Sequence, residues 1–223
     1  LDATGTKLRE PKDKDAFNDA NKRFNQGLKE HAVTGQVLPT YGTNVLTNVI
    51  NEAGAYPTRN FSTGQFEGAQ KISGETQAEL EIARGGVATH GCHRGCSIQC
   101  SGTFVDKDGN YVTKQPEYET VWSFGAHCGN TDVAAIIEAE HLCDAYGLDG
   151  ISVGNVVGFL MDCYQRGLLT SADTGGLDLS WGNGETIVEA VKLIGERKGP
   201  GLEWSKGVHH LEKSIEGADG LGA

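Results

Sequence analysis

From Glu117 almost to the end of this 223-residue chain, apolar side chains recur at helical spacing, and short glycine-bearing breaks cut the pattern into pieces. The pieces run from Glu117 to Phe124, Asp132 to Tyr146, Val153 to Arg166, Gly184 to Lys198 and Leu202 to Ile215. Residues three and four apart share a helix face, so each piece carries an apolar stripe that another element has to cover. Three more helices are predicted ahead of them. Asp13 to His31 sets Phe17, Phe24 and Leu28 on a charged background and reads as a partly exposed amphipathic helix; Tyr41 to Ala53 repeats Val45, Leu46, Val49 and Ile50; Glu75 to Arg84 runs up to Gly85-Gly86. Between the second and third of these, Pro57-Thr58-Arg59-Asn60-Phe61 reads as extended, because a proline biases its surroundings away from helix. A single hairpin is expected, with Gly102 to Val105 and Tyr111 to Lys114 flanking an Asp-Gly turn at Asp108-Gly109. The fold class is therefore mainly α, multihelical, with a short β-hairpin. A soft boundary near the hairpin would separate a first helical lobe, residues 1–100, from a second, residues 101–223.

Immediately before the hairpin, Cys92-His93-Arg94-Gly95-Cys96-Ser97-Ile98-Gln99-Cys100 spaces three thiols at a strict four-residue interval. On a helix they would form a packing stripe. Gly91 and Gly95 disfavour a helix, however, and His90, His93, Arg94 and Gln99 give such a stripe little apolar company. A turning backbone can instead converge three soft thiolates on one point, which zinc or an iron–sulfur cluster requires. Zinc usually takes paired C-x2-C knuckles, whereas a three-cysteine loop with one distant ligand suits a cubane cluster, so the cluster is the favoured reading. Cys128, Cys143 and Cys163 sit singly in other segments. A disulfide-stapled secreted domain would be shorter and denser in cysteine.

Nineteen Lys and Arg against thirty Asp and Glu give a net charge of −11, which argues against nucleic acid and anionic membrane surfaces as partners. No apolar run approaches the roughly 18 residues that read as a membrane-spanning helix, and no charged-then-apolar leader opens the sequence, so a cytoplasmic location is expected.

Three further constellations stand out. Glu138-Ala139-Glu140-His141 puts Glu138 and His141 on one helix face, as helical metal sites do, although such pairs are also common on solvent-exposed helices. Asp144-Ala145-Tyr146-Gly147-Leu148-Asp149 ends that helix at a glycine flanked by carboxylates that can accept from the N–H groups of a heterocycle; ordinary helix-end chemistry accounts for it equally well. Pro116-Glu117-Tyr118-Glu119-Thr120 opens an apolar helix with two acids, which suits the helix dipole and also offers a general base.

Taken in this order, the sequence resembles the aldehyde:ferredoxin oxidoreductase family of tungsten- or molybdenum-pterin enzymes. The resemblance rests on Tyr41-Gly42-Thr43, Asn51-Glu52-Ala53-Gly54, Pro57 to Phe61, the cysteine loop, Pro116 to Thr120, Asp144 to Asp149 and Ile151 to Asn155. It implies that Cys92, Cys96 and Cys100 bind a [4Fe–4S] cluster, that Asp144, Gly147, Leu148 and Asp149 bind one pterin of a bis-pterin metal centre, and that Glu119, favoured over Glu117, is the active-site acid. It implies further that Glu138 and His141 hold a single metal ion between subunits of a homo-oligomer. The activity implied is two-electron oxidation of an aldehyde to a carboxylic acid, with ferredoxin or another one-electron acceptor as partner. The C-x3-C-x3-C spacing departs by one residue from the family's C-x2-C-x3-C. The family's fourth cluster ligand and its N-terminal β-rich domain have no counterpart before Ala223, so the chain is expected to be a central helical portion, inactive by itself and completed by the rest of the same polypeptide. The alternatives are a helical module that binds zinc or no metal, and part of a related reductase acting on another substrate.

Overall fold

The computed structural model describes residues 10–106 and 108–222. Ten α-helices and a three-stranded antiparallel sheet make up the regular structure among those residues. The opening helix, α1 (Lys14–Glu30), starts where the Asp13 carboxylate accepts from the backbone N–H of Ala16 at 2.9 Å. It buries none of its residues: Phe17 and Phe24 are both more than half exposed. A π-turn at Val33–Val37 leads into α2 (Leu38–Tyr41), which stops at Gly42. Gly42 has φ +64°, and a Cβ there would stand 2.9 Å from Gln115 Oε1 and 3.1 Å from the Cys100 carbonyl. Only glycine lets α2 end this close to the base of the cysteine loop.

The expected Tyr41–Ala53 helix is shorter than its pattern. A 3-10 turn occupies Thr43–Val45 and α3 covers Leu46–Glu52, because buried Asn44 turns inward to donate to the Ile72 carbonyl at 2.7 Å and to accept from Thr47 Oγ1 at 2.6 Å. The stretch expected to be extended is instead a tight turn: Arg59, Asn60 and Phe61 have φ of 44°, 51° and 61°. Left-handed backbone is costly for non-glycine residues. Here it is held by the Arg59 and Asn60 N–H groups, which donate to the carbonyls of Ala126 and His127 at 3.0 and 3.1 Å. A 3-10 turn at Ala69–Ile72 precedes α4 (Gly74–Ala83).

The predicted hairpin forms as β2 (Ser101–Val105) and β3 (Tyr111–Lys114), and β1 (Val87–His90) adds to its outer side, giving the order β1-β2-β3. The cysteine loop is therefore the β1–β2 connection, and His90 at its start pairs with Ser101 at its end. The helical remainder comprises α5 (Tyr118–Phe124), α6 (Val133–Tyr146), α7 (Gly150–Gln165), α8 (Gly184–Glu196), α9 (Gly201–Trp204) and α10 (Val208–Ser214). The last two replace the single helix expected over Leu202 to Ile215. Gly207, at φ +88°, breaks the backbone between them.

The core lies among α5 to α8, where Phe124, Ile136, Val157, Phe159, Leu160, Met161 and Ile187 are wholly buried, and Tyr56 and Phe66 from the first part of the chain complete it. The loop residues 91–100 contribute nothing to it. No helix among the described residues is long and apolar enough to cross a membrane.

Candidate functional site

Gly95, at φ +88°, and Gln99, at φ +57°, turn the β1–β2 connection back on itself. The turn brings the Cys92 and Cys96 thiols and one ring nitrogen of His93 within 4.8 Å of one another. Cys92 and His93 are exposed and Cys96 half-buried, so the group faces solvent. Backbone N–H groups of Gln99 and Ile98 point at Cys96 Sγ, the Gln99 bond measuring 3.4 Å, and together with Cys92 they lower the pKa of that thiol. Cys100 stands outside this group, half-buried at the end of the loop. Burial raises its pKa, and the nearby Glu117 carboxylate and the other two thiols push the same way.

Glu117 caps α5 and accepts from Thr43 Oγ1 at 2.5 Å, while Thr43 Oγ1 accepts in turn from the Tyr118 N–H at 3.0 Å. Partial burial raises the Glu117 pKa, the Thr43 bond opposes that, and the charge of Glu119 adds to it. Glu119 lies two residues on, about half a helical turn away, and is exposed. Of the two acids, Glu117 is the one turned toward the cysteine loop.

At the end of α6, Gly147 adopts φ +68° and Leu148 N donates to the Cys143 carbonyl at 2.8 Å, closing the helix. Asp149 then caps α7, accepting from the N–H and hydroxyl of Ser152 at 2.9 and 2.5 Å, which lowers its pKa. Leu148 and Asp149 line an open cleft of about 570 Å³ together with Asn155, Arg197, Trp204 and Val208. Asp144 faces elsewhere. Lys114 of β3 donates to it at 2.9 Å and to the buried Glu140 of α6 at 2.7 Å. Partial burial works against the Lys114 charge, but the bonds to Glu140 and Asp144 outweigh it and raise its pKa. The sheet that carries the cysteine loop is thus tied to the helix that carries the carboxylate motif. Lys114→Met should destabilise the fold by about 1–3 kcal/mol by stranding the Glu140 charge. Lys114→Met/Glu140→Gln should recover most of that loss in urea unfolding.

Glu138 and His141 occupy exposed positions on α6, and no third metal-binding side chain joins them within 4.8 Å among the described residues. Sequence reasoning passed over His93, whose position inside the cysteine run was its only signal. It also passed over Lys114, and over Glu81 of α4, which looks like an ordinary helix-surface acid yet is wholly buried with neither oxygen hydrogen-bonded.

The donor chemistry of the loop fits an iron–sulfur cluster: soft thiolates, one already inclined to ionise, at a solvent-facing turn with a third thiol in electrostatic reach. The helical scaffold presents this loop beside the half-buried Glu117 and ties it to a carboxylate-flanked helix end, a combination that could hold a metal or cluster. The chain belongs to the aldehyde ferredoxin oxidoreductase family, whose domains 2 and 3 match residues 19–221. It is 38% identical to the tungsten-containing aldehyde ferredoxin oxidoreductase of Pyrococcus abyssi over 96% of its own length, and 40% identical to that of Thermococcus kodakarensis over 82%. The chain spans 35% and 30% of the lengths of those two relatives. In fold it is similar to the active-site complex BamBC of benzoyl coenzyme A reductase, with a TM-score of 0.64 at 16% identity, covering 93% of this chain and 31% of that one.

Proposed function

We propose that this chain is the central helical part of a tungsten- or molybdenum-pterin, iron–sulfur oxidoreductase that oxidises aldehydes to carboxylic acids. The observation that carries the reading is the thiol loop, with Cys92 and Cys96 drawn together and Glu117 turned toward Cys100, in a chain of this family. Cys92, Cys96 and Cys100 would hold the [4Fe–4S] cluster, and Asp144, Gly147, Leu148 and Asp149 would hold a pterin. When bound, the metal–pterin centre supplies the two-electron redox chemistry and the cluster supplies one-electron transfer.

The chain's own residues have four tasks. Asp149, fixed by Ser152 at the rim of the cleft, can accept from the N–H edge of a flat heterocycle. Lys114, by neutralising Asp144 and Glu140, holds the motif in register with the sheet behind the cluster loop. Glu119 would take a proton from the water whose oxygen becomes the second carboxylate oxygen; the aldehyde and one water yield the acid, two protons and two electrons. A ferredoxin-type protein would accept the electrons, in the cytoplasm. Glu138 and His141, facing solvent, would share an ion with a second copy in a homo-oligomer.

In the full-length protein prepared anaerobically, tungsten or molybdenum should be present with iron, and aldehyde should reduce a viologen dye. Glu119→Gln should lower kcat by about a hundredfold or more with metal content retained. Metal-replete protein that ignores aldehydes would overturn the substrate assignment, and protein without tungsten or molybdenum would overturn the cofactor.

A further inference from the structure

A buried polar space lies between α4 and the sheet, and its unpartnered side-chain atoms are all acceptors. Apart from the two ring nitrogens of His127, the buried side-chain atoms without a hydrogen-bond partner among the described residues are Gln77 Oε1, both carboxylate oxygens of Glu81 and Gln115 Oε1. Each of these three residues is 2% exposed or less, so the chain itself closes them off from water and from any outside segment. Leaving four such oxygens dry, two of them on a carboxylate, is costly. Among the described residues no basic side chain stands near enough to Glu81 to serve as its counter-charge.

The backbone brings the three side chains to one place. Gln77 and Glu81 stand one turn apart on the buried side of α4. The two Glu81 oxygens and the Val87 carbonyl oxygen of β1 lie 2.7, 2.8 and 2.8 Å from the point where a Cβ on Gly102 would stand, so only glycine leaves open the position where these oxygens meet. Gln115 sits directly across from Gly102: its N–H donates to the Gly102 carbonyl at 2.9 Å, one position beyond the Thr103–Lys114 pair. Opposed residues of an antiparallel pair project from the same face, so the Gln115 side chain leaves the sheet on the side that faces Glu81. The amide orientations follow from their other contacts. Gln77 Nε2 donates to the Ile72 carbonyl at 3.4 Å and Gln115 Nε2 to the Tyr41 carbonyl at 3.5 Å. A carbonyl can only accept, so each nitrogen faces its carbonyl and each oxygen is left without a donor.

We infer that Glu81, Gln77, Gln115 and the Val87 carbonyl form a site for one hard monovalent cation of the Na⁺ class. Carboxylate and carbonyl oxygens are the ligands that hard ions take. A single carboxylate balances a single positive charge, whereas a divalent ion would leave a net charge buried. Without such an ion the carboxyl keeps a proton, its pKa pushed up to about 8 by burial; the ion takes the place of that proton, which leaves to solvent. Strands β1 and β2 flank the cysteine loop, so an ion held by Val87 and Glu81 over Gly102 braces the base of that loop. The inference goes beyond the proposed oxidoreductase function and does not depend on it.

Sodium alone is the probe. Urea unfolding of the chain at pH 9 in about 0.2 M sodium chloride should give a folded-to-unfolded ratio about tenfold higher than in tetramethylammonium chloride of the same strength, whose cation is too large to enter. Glu81→Gln, which removes the charge and brings an N–H₂ donor into the space, should give ratios in the two salts that agree within about twofold. Gln115→Leu, which removes one ligand and keeps the carboxylate, should retain less than about a third of the sodium response. Comparing two salts within one protein separates ligation from any packing loss that a substitution brings. Equal stability of the parent in the two salts would show that water fills the space and would overturn the site, as would a sodium response that survives Glu81→Gln. Stabilisation by calcium chloride where sodium chloride has no effect would overturn the monovalent assignment.

Discussion

Replacing Glu81 by glutamine should stabilise the chain by about 3–5 kcal/mol at pH 8 and by little below pH 4.5. The Glu81 carboxyl is fully buried against Gly102, where a Cβ would come within 2.7 Å of it, and neither of its oxygens is hydrogen-bonded. Burial pushes its pKa up to about 8 from an ordinary 4.5. The folded state therefore keeps a proton that the unfolded chain has released, so stability is complete below about pH 4.5 and drains away as pH rises to 8. His127 works in the opposite direction. Packed against Phe61 and Trp122, with neither ring nitrogen bonded, it titrates at about 4 because burial disfavours its charge. Its contribution is complete above an ordinary 6.5 and is lost as pH falls through 4. Between about pH 4.5 and 6.5 the two slopes oppose each other, and above 6.5 only that of Glu81 remains. Urea unfolding of parent and Glu81→Gln chains at pH 5, 6.5 and 8 checks this, because the difference between the two proteins cancels every other titration. A gain that does not grow with pH would show that Glu81 is ionised in the fold.

The second large effect concerns iron. Cys96→Ser in the full-length protein should cost the iron held at that corner, leaving a three-iron form or no cluster at all, whereas Cys163→Ala should leave iron and acid-labile sulfide unchanged. The contrast follows from environment. The Cys96 thiol is half-exposed, accepts backbone N–H bonds and has a lowered pKa, all of which favour the thiolate that metals bind. Cys163 is wholly buried in the core, and burial pushes its pKa up to about 11; Cys143 rises to about 12 for the same reason. These thiols are packing groups. Equal iron loss in both variants would remove any special role from the loop.

Helical periodicity located most of the architecture. Asp132, Asp149 and Asn183 cap α6, α7 and α8 through their own side chains, so those starts were written locally. What the periodicity could not show was backbone that departs from it for long-range reasons. Three consecutive left-handed residues at Arg59 to Phe61 are held by carbonyls of Ala126 and His127, more than sixty positions away. Strand β1 is four residues long and largely exposed, without the alternation that betrays a half-buried strand. In the candidate site, the thiol spacing singled out the loop, but the grouping of Cys92 and Cys96 with His93 depends on how Gly95 and Gln99 turn the chain. The burial of Glu81 and the bridging by Lys114 are tertiary facts: an acid and a lysine on amphipathic elements look alike wherever their partners lie.

The cysteine loop is a connection whose two ends are already joined by the pairing of β1 with β2, and none of residues 91–100 enters the core. Closing such a loop is the step that a metal performs in zinc fingers, which unfold when it is withdrawn. Here the sheet has closed it beforehand. If the loop carries the proposed cluster, folding would precede loading, and the apo form would stand as a ready acceptor for it. A chelator that strips the proposed cluster should leave the scaffold standing.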